Sequence, residues 1–251
     1  MRVLFVVLLA AFAMPTRAQI NTEQLRKRNQ EGLHLQLDAG GGYAAGNTDF
    51  LQLSLGARLD ATKGRESGFA LARYTLAEAN GDTDVSNMFA HVRYNSKLTP
   101  LVVGEVFAQA ERNAQQLLEH RYLFGGGVRL EFVETEAVGV ALGTTPMLEF
   151  EQLAPEAMED PTQAFRWSNY LALRVDVSDT AEAFSVVYAQ PRLEAISDYR
   201  IFSESRLDLK VSEYLKVRLR GLVRYDSQPP LGVEETDVTI LTGFVFNSQG
   251  S

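Results

Sequence analysis

The residue types that most often carry out catalysis or bind metals are sparse in this sequence and widely spaced. The three histidines are His34, His91 and His120, and none is paired with another at the i, i+4 spacing, or any other short spacing, typical of a metal site. Cysteine is absent, which excludes disulfides, thiolate zinc sites and a cysteine nucleophile. No Gly-x-Ser-x-Gly motif is present. The sequence therefore predicts no catalytic residues, no metal site and no cofactor.

Two groups of charged residues are dense enough to act together. The first group consists of Glu105, Glu111, Arg121, Arg129, Glu149 and Glu151. Neighbouring carboxylates could transfer protons, but arginines on an adjacent predicted strand favour cross-strand ion pairs. The second group is a basic wall on two adjacent predicted strands, made of Arg200, Arg206, Lys210, Lys216, Arg218, Arg220 and Arg224. On these strands only Glu204 and Asp208 interrupt it.

Regular alternation predicts the strands that position these charges. Between Arg121 and Phe132, apolar residues fall on even positions and charged residues on odd ones, and a similar alternation returns between Val138 and Glu151. These two stretches predict a hairpin. Each arm exceeds the five or six residues usual for a globular strand and reaches the roughly nine to eleven of a tilted membrane strand.

The same alternation recurs from Leu33 to Phe246 and predicts twelve strands. We therefore predict an all-β fold, an antiparallel up-and-down transmembrane barrel with both termini on the periplasmic side. A soluble barrel or sandwich would bury the apolar face instead. The length of the predicted strands and the aromatic residues near their ends favour contact between the apolar face and lipid. Both groups of charged residues would then line the lumen.

The N-terminus has the pattern of an export signal. Arg2 precedes the apolar run Val3 to Met14, and Thr16-Arg17-Ala18 resembles a small-x-small cleavage site. The run is too short for a membrane-spanning helix. We predict a signal peptide at residues 1–18, a periplasmic N-terminal segment at 19–32, the barrel at 33–246 and a C-terminal tail at 247–251.

Composition narrows the class of partners. The 251 residues include 24 Lys plus Arg against 32 Asp plus Glu, a net charge of -8. This charge disfavours binding to nucleic acid. Outer-membrane lipid is the expected environment of the barrel, and small solutes are its expected ligands.

Several blocks in the first half of the chain resemble the family of domain of unknown function 481 (DUF481), the YdiY-like group described as salt-induced outer-membrane proteins. The blocks include Gly46-Asn47-Thr48, Met88 to Asn95, Gly104 to Gln109, Leu118 to Arg129 and Met147 to Glu151. The resemblance implies a bacterial outer-membrane barrel and brings no catalytic residues.

Two functions are compatible with such a barrel. The first is a narrow passive channel for small solutes, with the basic wall biasing the pore towards anions. The second is a non-conducting structural or partner-binding envelope barrel, with a link to salt stress that the resemblance implies. In the second case the arginines pair with lumenal acids and fill a narrow barrel. A membrane enzyme has no support in the sequence.

Overall fold

The computed structural model of the chain describes residues 31–44, 50–79 and 82–247. The predicted signal peptide, nearly all of the predicted N-terminal segment and residues 248–251 lie outside this part. The strands are β1 Gly32–Ala44, β2 Phe50–Lys63, β3 Glu66–Ala79, β4 Asp82–Lys97, β5 Val102–Asn113, β6 Leu118–Glu134, β7 Val138–Leu153, β8 Thr162–Ser178, β9 Ala181–Arg192, β10 Ala195–Lys210, β11 Leu215–Asp226 and β12 Thr236–Asn247.

These strands form one closed barrel in which each strand pairs with its neighbours in the sequence, and β12 pairs with β1. All pairings are antiparallel, and the closing β1–β12 pair has the shortest register, from Gln36 opposite Asn247 to Ala39 opposite Phe244. In the part of the chain that the structure describes, two short 3-10 helices, Ala114–Gln116 and Pro155–Ala157, lie in connections between strands. The predicted all-β, twelve-stranded up-and-down barrel is confirmed. Among the described residues, no helix is long and apolar enough to cross a membrane.

The two ends of the barrel differ in their connections. The turn end carries the links at residues 64–65, 98–101, 135–137, 179–180 and 211–214. The loop end carries the described links at 114–117, 154–161, 193–194 and 227–235.

One loop-end link is much shorter than the sequence predicts. The sequence predicts a loop from Pro191 to Asp198, but β9 continues to Arg192, β10 starts at Ala195 and only two residues join them. The register of this pair shifts between Ala195 and Tyr199. The prediction was wrong because apolar and polar residues do not alternate regularly at these strand ends, although backbone pairing continues.

The outer surface of the barrel is apolar, as a lipid-facing surface must be. Leu53, Leu55 and Leu59 are exposed on β2, whereas Arg58 on the same strand is buried in the lumen. Exposed aromatic residues lie near both ends of the barrel. They are Tyr122, Phe150, Phe165 and Trp167 towards the loop end and Tyr94, Phe132 and Phe246 towards the turn end. These are the two aromatic girdles expected at membrane interfaces.

Leu171 provides a test of this facing, because it lies on the outer face near the middle of β8 and is 52% exposed. We expect Leu171→Arg to lower the free energy of unfolding in lipid vesicles by about 2–4 kcal/mol, the cost of arginine near the bilayer midplane. The fluorescence of Trp167, the one tryptophan of the chain, reports unfolding in guanidinium.

Val177→Arg is the matched control for Leu171→Arg. Val177 lies on the same strand and the same face, but near the turn end. Arginine at the membrane interface costs only about 0–1 kcal/mol. Equal losses of stability in the two variants would contradict a lipid-facing apolar surface.

Candidate functional site in the barrel lumen

Five charged side chains in the loop half of the lumen form one connected group, the loop-end network. Its members are Arg121, Glu149, Glu151, Arg166 and Arg200. Arg166 Nε donates to Glu149 Oε1 at 2.9 Å, and Arg200 Nη1 donates to Glu149 Oε2 at 2.8 Å. Arg121 Nε donates to Glu151 Oε2 at 2.6 Å. The two carboxylates of β7 therefore bind arginines from the adjacent strands β6 and β8 and from β10, three strands away.

A second set of ion pairs lies in the turn half of the lumen. Arg218 donates to both oxygens of Asp208, at 2.6 and 2.7 Å, which is the bidentate geometry that makes arginine–carboxylate pairs strong. Arg206 Nη2 donates to Glu182 Oε1 at 2.6 Å. Arg220 Nε lies 3.6 Å from Glu204 Oε1.

The basic wall lies on β10 and β11, and acids face most of its arginines. Arg200, Arg206, Arg218 and Arg220 each have a carboxylate within 4 Å. Lys210 and Lys216 lie opposite each other at the turn end and are partly exposed. These acids offset part of the positive field of the arginines. The anion preference expected from the basic wall stays a prediction.

The predicted lumen-lining ion pairs fall into two places. Arg121 binds Glu151 and lies 3.9 Å from Glu149 and 3.8 Å from Glu111. Glu105 and Arg129 lie elsewhere, around the phenol of Tyr170.

Tyr170 projects from β8 into the lumen and connects three strands. Its hydroxyl donates to Glu105 Oε2 at 2.9 Å, and Arg129 Nη1 donates to the same hydroxyl at 3.3 Å. Arg93 Nη1 lies 3.6 Å from Glu105. This aromatic residue therefore holds together charges that the sequence pattern assigned to simple cross-strand pairs.

Aromatic side chains close the middle of the lumen, the waist. The ring centroid of Tyr188 lies 5.1 Å from that of Tyr170 and 6.0 Å from that of Phe202. Val186 and Glu204 are 0% exposed and Phe202 is 2% exposed, whereas a water-filled pore would leave such lumenal side chains accessible. The cavity here has a volume of about 30 Å³, room for about two water molecules. The waist therefore has little free space in this structure.

The opposite side of the waist is also filled. The His91 ring stacks between those of Phe69 and Phe107, with centroids 5.5 and 5.4 Å away, and its Nδ1 lies 3.2 Å from Gln109 Oε1. The Arg58 guanidinium lies 3.7 Å above the Phe69 ring, a cation–π contact. This environment is that of a packed histidine. Within the described residues, no group of three or more potential ligands is placed to hold a metal ion.

Two glycines make room for these rings. A Cβ on Gly143 would lie 1.9 Å from the Tyr170 ring, and a Cβ on Gly125 would lie 2.5 Å from the Phe107 ring. The aromatic rings therefore lie directly against the backbone of the barrel wall, where only glycine leaves space.

A pocket opens at the loop end, above the loop-end network. Its volume is about 60 Å³, and its walls include Arg121, Arg200, Arg224 and the 227–235 link. Asp226 N–H donates to the carbonyl of Glu235 at 2.9 Å and so holds the ends of this link together. We call this site the loop-end pocket.

Sequence reasoning missed Tyr170 and the aromatic lining of β9. The alternation in β8 is sufficient to place Tyr170 in the lumen, because Tyr170 occupies an even position, as do Arg166 and Ser168. It could not have found Phe184 and Tyr188, since β9 carries apolar residues on both faces.

The family follows from the sequence match. The model of the DUF481 family, described as proteins of unknown function, matches residues 37–247. The chain belongs to the DUF481 family. A search of curated proteins finds no match to this DUF481 protein.

A solved porin structure shares the fold of this DUF481 protein. The NanC porin aligns with a TM-score of 0.52 and 6% identity, over 85% of this chain and 98% of the porin. The KdgM porin in complex with disordered oligogalacturonate aligns with a TM-score of 0.49 and 10% identity, over 84% and 98% of the two chains. At 6% identity, the likeness to the NanC porin shows the fold alone.

Proposed function

We propose that this chain is an outer-membrane barrel that is closed at its waist at rest and that acts by binding solutes or partners at its loop end. One observation carries the proposal, namely that side chains fill the lumen between the loop-end pocket and the turn end. Phe202, Val186 and Glu204 are almost fully buried there. The outward direction of the loop end follows from the predicted periplasmic position of the termini.

The Arg–acid networks support the same function. Arg73 on β3 and Glu204 on β10 attract each other across the lumen, and Arg200 links β10 to β7. Paired charges with fixed hydrogen bonds resist displacement, because separating one pair leaves both members buried without a partner. Such a lumen holds the strands in fixed positions and so supports the loop end rigidly.

A narrow passive channel for small, anionic solutes is the second candidate function. It is favoured by the polar residues that continue above and below the waist and by the basic wall on β10 and β11. In this case the waist opens by moving its aromatic rings. A role in salt stress, which the family resemblance implies, is compatible with either function.

Current through single refolded molecules in a planar bilayer distinguishes the two functions. We expect no stepwise conductance from the folded barrel at low voltage, because the waist leaves no continuous path for ions. Stepwise currents would overturn the closed-barrel proposal. If such currents prefer anions under a salt gradient, the Arg218→Gln, Arg220→Gln double variant should reduce that preference, and unchanged selectivity would assign these arginines to packing alone.

A further inference from the structure

The loop-end pocket contains a buried guanidinium with unused donors. Arg224 lies on β11, lines the pocket and is 6% exposed. Its Nε, Nη1 and Nη2 atoms are all buried, and none has a hydrogen-bond partner. Buried polar atoms are hydrogen-bonded in the large majority of cases, so that an exception of this size points to a ligand.

The other two arginines of the pocket differ from Arg224. Arg121 binds Glu151, and Arg200 donates to Glu149, Glu151 and Asp226. The donors of both arginines therefore already have carboxylate partners. Arg224 is therefore the group in this pocket that is prepared to bind an anionic group.

Acids surround Arg224 without hydrogen bonding to it. Glu111 and Asp237 attract its guanidinium, and Arg121 repels it. On its other side, the guanidinium carbon lies 5.5 Å from the centre of the Phe202 ring. None of these neighbours uses the hydrogen-bond donors of Arg224.

The rim of the pocket carries the opposite charge. Glu159, Glu234 and Glu235 are exposed lining residues from the two long loop-end links. A purely anionic ligand would be repelled at this rim, and a purely cationic one would be repelled by Arg224. A ligand with a carboxylate at one end and a cation at the other complements both charges.

We propose that the loop-end pocket binds a small zwitterion, with its carboxylate on Arg224 and its ammonium group at the acidic rim. A guanidinium is well matched to a planar carboxylate, since it can donate two parallel hydrogen bonds. The volume of about 60 Å³ holds about four water molecules, which suits a molecule of the size of glycine or β-alanine. The inference deepens the proposed function and rests on it, since it names a ligand class for the loop end.

Titration calorimetry on the refolded full barrel in detergent micelles tests the proposal. The probes are glycine, β-alanine, acetate and ethylammonium. We expect one of the zwitterions to bind more tightly than either singly charged probe. Arg224→Gln should weaken that binding about ten- to a hundredfold, the effect of losing hydrogen bonds from a charged donor.

Arg192→Gln is the matched control for Arg224→Gln. Arg192 also lies at the loop end but pairs with Glu194 and Asp198 and does not line the pocket. We expect wild-type affinity in this variant. The double variant Glu234→Gln, Glu235→Gln changes only exposed loop residues and should remove the preference for zwitterions over acetate.

Three outcomes would overturn the zwitterion site. They are wild-type affinity in Arg224→Gln, equal affinity for acetate and the zwitterions, and no saturable binding of any probe. Bilayer recordings on the same preparation keep this test separate from the proposed function. A sealed barrel that binds no probe refutes only the zwitterion site, whereas a conducting barrel that binds β-alanine refutes only the closed waist.

Discussion

Glu149→Leu is expected to lower the free energy of unfolding by about 3–5 kcal/mol, because it removes the carboxylate that two buried arginines share. Glu149 accepts hydrogen bonds from Arg166 and Arg200, and its side chain is 3% exposed. The substitution leaves Arg166 with Asp198 as its acid partner, and Arg200 with Glu151 and Asp226. The buried positive charge of the two arginines is then offset by fewer acids. Guanidinium unfolding in lipid vesicles, followed by Trp167 fluorescence, measures the loss.

Glu119→Leu is the control for Glu149→Leu. Glu119 also lies towards the loop end, but its side chain is 40% exposed and its contacts with His120 and Gln152 are open to water. Exposed pairs contribute about 0–1 kcal/mol. We also expect the double variant Glu149→Leu, Arg166→Met to lose less stability than the sum of its two single variants, because it removes both members of one pair. A Glu149→Leu barrel as stable as the control would show that water reaches this network.

The double variant Tyr170→Ala, Tyr188→Ala is expected to convert a sealed barrel into a conducting one. These two rings border the small waist cavity and lie 5.1 Å apart. Their removal leaves Glu105 and Arg129 at the wall of a wider, polar passage, which water and ions can enter. The measurement is single-molecule current in a planar bilayer, where stepwise conductance should appear in the variant and not in the parent protein.

Tyr122→Ala is the matched control for the waist variant. Tyr122 is 45% exposed on the outer face of β6, so that its loss does not affect the lumen. Folding of each variant is established first by the mobility of unheated protein in detergent gels. A folded double variant that stays sealed would show that the Arg–acid networks, and not the aromatic rings of the waist, block ion flow.

Closure of the waist and charge pairing in the lumen have a common consequence. Ion pairs such as Arg218–Asp208 hold adjacent strands together, whereas Tyr170 and Arg200 connect strands that are three apart. The lumen therefore cross-links the barrel from within. A loop-end site built on this support is held in one geometry, which reduces the ordering cost of binding.

Local periodicity was sufficient to predict the barrel and its faces. The alternation in β2 places Leu53, Leu55 and Leu59 outside and Arg58 inside, as the structure has them. In β3 the alternation does not predict which face points into the lumen, because Phe69 and Leu71 share a face with Arg73. The structure places all three in the lumen, where apolar rings of the waist lie beside charges. A pattern that only separates polar from apolar residues cannot predict the facing of a strand when the lumen is itself lined partly by apolar residues.

The sequence by itself determined twelve membrane-length strands and their order. It could do so because successive side chains in a strand point to opposite faces, so that odd and even positions face different sides. Tertiary structure alone decided that Arg200 binds Glu149, that Tyr170 and Tyr188 close the waist, and that the donors of Arg224 are left unused. These contacts join strands up to three apart, and they depend on the register and closure of the whole barrel, which no local stretch of sequence specifies.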